Sequence, residues 1–321
     1  FNPGVRTVND SAARVHRAAL EWLQSLHQED QVFLYVHTLN PHNPYTPPPE
    51  YLARNVALEI DMPVGTTREL VEIRDQRLPA TGEIQERIRS AYVAGVEYND
   101  ALLCSFVQAL EKRFGRGEVL LMLTSDHGEE LFDHGGVLHG YTLYDEMVHI
   151  PLVIRWPGVI NPRKIEQQTG TLDVYATLTS MIERPQHSSL TGGLSLWRSL
   201  LGSPPELEDR LVFAAAPGVR DTIAMVRSPR MKVVEAQSQS LQSGMGFRLG
   251  RGHDSEYVFE LLEDPSELRN RSPDDDLEAE WLRTELRAWR HKWTAAAPSG
   301  PQQQLDEATR RKLEALGYVN P

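Results

Sequence analysis

Cysteine is almost absent from this chain of 321 residues, and the single one, Cys104, excludes any internal disulfide. It lies in a helical pattern and is expected to pack as a core residue. Positive charge is also short: 33 Lys and Arg stand against 45 Asp and Glu, a formal net charge of −12. No long basic block relieves that deficit, which excludes nucleic acid as a partner class, since phosphate binding needs a basic patch. No uncharged apolar run approaches the length of a membrane span, so no span is expected in this chain. Residues 1–10 hold neither an apolar signal-peptide core nor an initiator Met. Phe1-Asn-Pro-Gly reads like the middle of a protein, so any targeting segment is expected upstream. Compartment is left open, the periplasm and other extracytoplasmic sites included, and so is oligomeric state. Internal repeats are missing too.

What remains is ordinary globular composition, 40% hydrophobic and 24% charged, at a length that suggests two domains or one with an appendage. The chemistry concentrates in Glu118–Gly140. Val119–Thr124 is a short unbroken apolar run after Gly115-Arg-Gly, a pattern that suits a strand buried on both faces of a parallel sheet. Beyond Ser125 come Asp126, His127, Asp133, His134, His139 and several glycines. Ligand sites of open α/β sheets form just past the carboxyl ends of strands. An isolated Asp-His-Gly is usually a turn; three histidines and two aspartates in fifteen residues are more than a turn needs.

The rest of the chain supplies a frame. Asn9 or Asp10 can cap a helix to about His27, with Val15, Ala19, Trp22, Leu23 and Leu26 at core spacing. Gln31–His37 reads as a second buried strand, followed by a proline-rich loop that holds His42 in a fixed position. A short helix is expected near Arg68–Arg74. A long amphipathic one, capped by Thr81, runs from about Glu83 to Phe114. The strand–helix–strand order of 31–37, 83–114 and 118–124 signals a parallel sheet with crossover helices. Ile150–Arg155 is a further strand and Leu172–Ile182 a helix. Past residue 208, the short strands Leu211–Ala215, Thr222–Arg227, Met231–Glu235 and Tyr257–Leu262 arrive without intervening helices, which suggests an antiparallel sheet with a helix at Leu277–Trp293. A Gln/Ser/Gly-rich loop spans 236–255 and a terminal helix Leu305–Leu316. The fold class expected is thus α/β, a largely parallel sheet flanked by helices over residues 1–208, with a smaller antiparallel α+β subdomain over 209–321.

Several segments together resemble the sulfatase family, within the alkaline-phosphatase-like superfamily. They are Phe33-Leu-Tyr-Val-His-Thr-Leu-Asn-Pro-His42-Asn-Pro-Tyr45, the helix Tyr92–Leu103 with Glu97 and Asp100, and Thr124-Ser-Asp126-His127-Gly-Glu. His134-Gly, His139-Gly-x-x-Leu143-Tyr-Asp-Glu146, Ile150–Gly158, Leu172–Leu178, Tyr257–Asn270 and Leu316-Gly-Tyr318 follow in the same order. The resemblance implies a hydrolase of sulfate esters, small-molecule or glycan, that uses a divalent cation and a formylglycine made from Cys or Ser. It places Asp126 and His127 on a pair of metal ligands, His42 on a substrate-contacting histidine, and His139 on the cation that grips the sulfate. Ca2+ is the family's metal.

Three departures stand beside that resemblance. The Cys-x-Pro-x-Arg nucleophile segment is missing, and Cys104 is followed by Ser-Phe-Val. The family's paired aspartates are missing too, so the chain is expected to be the C-terminal portion of a longer polypeptide, inactive alone. His127 and His139 stand where many members carry Asn and Lys. Imidazole is a poor calcium ligand, which tilts the metal toward Mn2+ or Zn2+. Those histidines also fit a phosphonate or phosphodiester hydrolase, or a phosphoethanolamine-type transferase, of the same superfamily; a non-catalytic fragment is the remaining alternative. His134 with Asp133 is expected to stabilise its loop, Glu129 and Glu130 to lie on the surface, and Tyr45, His149 and Arg155 to be structural.

Overall fold

The computed structural model describes residues 10–27, 29–55, 65–182, 192–204, 209–217, 222–236, 256–271, 276–296 and 307. The chain begins with α1 (Ser11–Gln24), α2 (Pro49–Asn55), α3 (Thr67–Arg74) and α4 (Gly82–Phe114). β1 (Leu121–Thr124), β2 (Glu130–Leu131), β3 (Val137–Leu138), α5 (Asp145–Val148) and β4 (Leu152–Arg155) follow. α6 (Leu172–Met181) and α7 (Trp197–Leu200) lead into β5 (Val212–Pro217), β6 (Thr222–Arg227), β7 (Met231–Ala236), β8 (Glu256–Glu260) and α8 (Leu277–Ala296).

The 33-residue α4 is the spine. The Thr81 hydroxyl accepts from the Ile84 amide, satisfying one orphan donor of the first turn, and Gly115 closes the helix at a φ of +96°. Ile88, Ala91, Ala94 and Gly95 bury one stretch, against Tyr45, Leu70, Phe132 and Leu138, while Phe106 and Leu110 bury another against Leu23 of α1. Cys104 is exposed rather than in the core, because it lies about 200° around the helix from Phe106. In α1, Asp10 stands at the cap but its carboxylate pairs with Arg14 at 3.1 Å instead of capping. Trp22, expected inside, is half exposed.

Residues 31–37 run extended, and the alternation of a strand is plain. Val32, Leu34 and Val36 pack on α1 and α4, while Phe33 and Tyr35 stay 78% and 79% exposed. This stretch joins no sheet among the described residues. β1 pairs antiparallel with β4, Leu121 opposite Arg155 and Thr124 opposite Leu152. The parallel pairing expected between 31–37 and β1 is therefore not among the described ladders, and β1 is only part-buried. Leu123 and Val153, side by side, face outward with no second layer over them among the described residues.

The four late strands form one antiparallel sheet in the order β5-β6-β7-β8, as their spacing predicts. Its two faces separate by the period of two. Ala224, Val226, Val233 and Val258 meet Ala279, Leu282 and Leu286 of α8, while Ile223, Met225, Val234 and Phe259 meet Leu143 and Tyr144. Each fully buried Val or Leu here contributes about 1.5–3 kcal/mol. The sheet thus lies between its own helix and the loop that carries the histidines. Apart from residues 236 and 307, the Gln/Ser/Gly-rich loop and the terminal helix expected from sequence lie outside the described residues.

Candidate functional site

The loop after β1 is held by α5. The Gly128 amide donates to the Met147 carbonyl at 2.8 Å and the Glu129 amide to the Glu146 carbonyl at 3.0 Å. A Cβ on Gly128 would fall 1.9 Å from the Glu146 oxygen, so only glycine permits this approach. The β2–β3 hairpin then turns the chain back, pairing Glu130 with Leu138 and bringing His139 beside Glu129. Arg74 hydrogen-bonds the Tyr141 hydroxyl and Arg89 Nε donates to the Leu131 carbonyl at 2.9 Å, pinning the hairpin to α3 and α4.

His42 arrives from the other side. Its loop is fixed to the start of α1, where the Asn40 Oδ1 accepts from the Ser11 hydroxyl at 2.8 Å and from the Ala12 amide at 3.0 Å. The Ser11 oxygen in turn accepts from the Leu39 amide at 3.0 Å. Beyond the histidine, the Tyr45 amide donates to the Gly65 carbonyl at 2.8 Å, and the Tyr45 ring is buried against Tyr92.

Three imidazoles meet there. The His127 and His139 rings stack with centroids 4.1 Å apart, and His42 lies edge-on at 4.8 Å from His139 and 6.3 Å from His127. Each uses its Nδ1 on a protein acceptor: His42 on the Asn43 carbonyl at 2.7 Å, His127 on the Gly128 carbonyl at 2.7 Å, and His139 on both Glu129 oxygens at 3.2 Å. A carbonyl can only accept, so His42 and His127 carry a proton on Nδ1. Burial depresses the His42 pKa, more than the Asn43 carbonyl raises it, so that ring is neutral at pH 7.

The donor set offers two atoms to a divalent cation. Nε2 of His127 lies 3.8 Å from Oδ1 of Asp126, whose side chain is 54% exposed. Two lone-pair atoms at that spacing can share one ion at ligand distances of about 2.0–2.2 Å. The pair fits as two ligands, and the Nδ1–H···O=C bond is the second-shell contact that orients a ligating imidazole. Among the described residues no group of three or more His, Cys, Asp or Glu side chains is arranged to hold a metal.

All four residues singled out from sequence, His42, Asp126, His127 and His139, come together in this one place. Glu129 and Glu130, expected at the surface, are instead buried at 9% and 5% exposure. Glu130 accepts the Gly136 amide at 2.7 Å, and burial still holds its carboxyl above the usual range. Glu129 faces His139; burial and then the Glu129 charge push the Tyr92 phenol up to about 12, and raise Tyr45 as well. The signal available for Glu129 was its place next to Gly128, just before a strand too short to show a period. His134 is a packing residue: its ring stacks on Tyr144 at 3.5 Å, and its nitrogens reach Glu146 Oε1 at 2.7 Å and the Glu267 carbonyl at 3.2 Å.

Comparison with known proteins follows the same lines. The family model Sulfatase matches residues 2–182. Among curated relatives, the N-acetylgalactosamine-6-O-sulfatase of Bacteroides thetaiotaomicron is 21% identical over 261 residues, 76% of this chain and 44% of that protein. The phosphonate monoester hydrolase of Agrobacterium radiobacter superposes with a TM-score of 0.63 at 21% identity, over 90% of this chain and 62% of that one. BT4656, solved with its substrate D-glucosamine-2-N,6-O-disulfate, gives 0.62 at 16% identity, over 90% and 71%. The chain spans less than half the length of the curated relatives it matches. The solved structures share the fold, and because the family model covers more than half of the sequence, the chain belongs to the sulfatase family.

Proposed function

We propose that the polypeptide containing these residues hydrolyses sulfate esters, small-molecule or glycan, with Asp126 and His127 binding a divalent cation and His42 and His139 acting on substrate. The observation that carries this reading is the cluster of three imidazoles past the end of β1, each anchored through Nδ1. A divalent ion would polarise an oxygen of the transferred group and activate the nucleophile. Ca2+ is the family's ion, and the nitrogen of His127 favours Mn2+ or Zn2+. His42, preorganised between its prolines, is the proton donor to the leaving alcohol. Its depressed pKa makes the protonated ring a stronger acid while shrinking the protonated fraction at neutral pH. His139 binds the sulfate oxygens through the nitrogen that Glu129 does not occupy. The nucleophile, a formylglycine, and the remaining metal ligands come from a segment outside these residues, since one Asp-His pair is too few for a closed site.

A second reading is a phosphonate or phosphodiester hydrolase, favoured by histidine at 127 and 139 and by the likeness in fold to a phosphonate monoester hydrolase. The test uses the full-length polypeptide and residues 1–321 side by side, each with Ca2+, Mn2+ or Zn2+, on an aryl sulfate, a sulfated glycosaminoglycan fragment and a phosphonate monoester. Metal-dependent sulfate release by the full-length polypeptide alone is expected. A preference for the phosphonate would install the second reading. Turnover by residues 1–321 would show that no further segment completes the site.

A further inference from the structure

Glu129 has no place in the chemistry described so far, yet its carboxylate is one of the most enclosed groups near the histidines. Its side chain is 4% exposed, and its backbone is fixed on α5 through a glycine seat that tolerates no side chain at 128. Both oxygens lie 3.2 Å from Nδ1 of His139. Two phenols, the buried Tyr45 and the partly buried Tyr92, stand edge-to-face at 5.4 Å and feel its charge. Burying a carboxylate costs several kcal/mol of desolvation, by order of magnitude, unless a hydrogen-bonded partner offsets it. Its neighbour Glu130 shows the structural use of such a group, since it caps the backbone amide of Gly136 inside the hairpin. Glu129 instead turns both oxygens to the edge of one imidazole at the candidate site, with the Tyr45 phenol beside them.

We infer that Glu129 is the positioning residue of His139, holding the ring in one orientation with a proton on Nδ1 and leaving Nε2 to meet the substrate. The kinetic part of this assignment rests on the proposed hydrolysis; the orientation of the ring does not. A carboxylate bonded to one nitrogen of a histidine sets its tautomer and prevents rotation about χ2, so the second nitrogen is already aligned when substrate binds. Loss of such a supporting group typically costs about 10–100-fold in activity.

The full-length polypeptide, with 15N-labelled histidine, supplies the test. Long-range 1H–15N spectra of the wild type should show His139 protonated at Nδ1, and Glu129→Gln, whose amide oxygen can still accept, should keep that signature and most of kcat/KM. Glu129→Ala should give a mixture of ring states and lower kcat/KM by about 10–100-fold, mainly through kcat, with thermal unfolding followed in parallel. Combined with His139→Ala it should add nothing further, because both changes remove the same aligned nitrogen. A wild-type His139 without a proton on Nδ1 overturns the inference, even where Glu129→Ala does not fold. So does a Glu129→Ala protein whose His139 signals and kcat/KM stay within twofold of wild type. If the Nδ1 signature holds while no sulfate ester is turned over, the positioning assignment stands and the proposed reaction is what fails.

Discussion

Two sets of histidines and carboxylates occupy the same stretch of chain, residues 126–146, and they are built in opposite ways. At one end, His127 and His139 spend Nδ1 on the protein and stack face to face near His42, with the Asp126 carboxylate half in solvent. At the other end, His134 spends both nitrogens, on Glu146 and on Glu267, and lies flat on Tyr144. Next to it Lys232, fully buried, reaches Asp145 at 2.9 Å and Glu267 at 2.7 Å, and the Asp145 amide donates to Glu267 at 2.6 Å. The second set joins the C-terminal sheet to α5, and α5 holds the backbone of Gly128 and Glu129. One set is therefore saturated by protein and fixes position. The other anchors its rings through Nδ1 and gathers the residues proposed to act on metal and substrate. Residue type does not distinguish them; the partners of the rings do.

The comparison breaks most visibly at Asp126. Asp126→Ala in the full-length polypeptide should remove most bound metal and nearly all turnover, while the unfolding midpoint barely moves, because the side chain is half exposed. Elemental analysis checks the first claim, and an unchanged metal content ends the ligand assignment. His42→Ala and His139→Ala come next, with a fall in kcat or kcat/KM of about 10²–10⁴-fold and little change in stability. A large drop in melting temperature with activity per folded molecule intact would move both residues into the structural set. Lys232→Met should do the reverse. It strands Glu267 as a buried charge, while Asp145 keeps Arg227 at 3.3 Å, at a cost of about 3–5 kcal/mol in urea unfolding. A loss near zero would mean that the junction does not depend on this ion pair.

Much of this was legible in the sequence because it is local. Thr81 caps α4, the 3.6 period carries that helix to Phe114, and the strands at 222–227 and 231–236 stand where their pattern puts them. His42, Asp126, His127 and His139 stood out because ligand-type residues follow strand ends. What was not legible depends on which distant segment lies over a given face. Alternation assigns Phe33 and Tyr35 to one side of an extended stretch, but not that this side stays uncovered among the described residues. Trp22 and Cys104 fail likewise, each on a helix whose buried stripe is narrower than its apolar one. Glu129 and Glu130 look solvated until α5, seventeen residues on from Gly128 at its nearer end, folds down over them.

The smallest effect concerns pH, and it separates the two sets by sign. Burial by itself would lower the pKa of His134, but the hydrogen bond and charge of Glu146, helped by the Glu267 carbonyl, outweigh it and hold the ring above its ordinary value. The unfolded chain has a histidine pKa of about 6.5, so the folded state binds this proton more tightly. Stability from the pair is then complete below the unfolded pKa, shrinks as pH rises past it, and is gone above the raised folded value. Glu130 and Glu267 also interact with this ring, and the carboxyl of Glu130 is raised mainly by burial. Urea unfolding of wild type and His134→Gln between about pH 5.5 and 8.5 isolates the histidine's share. The wild type should be the more stable protein at the acid end, with the difference closing as pH rises. His42 carries the opposite shift, a pKa depressed by burial, so its contribution to stability is present above the unfolded value and falls away in acid. A His134 difference that stays flat, or that widens with pH, would mean that the Glu146 contact holds a neutral ring, and the division between a saturated and an open set would then have to rest on packing alone.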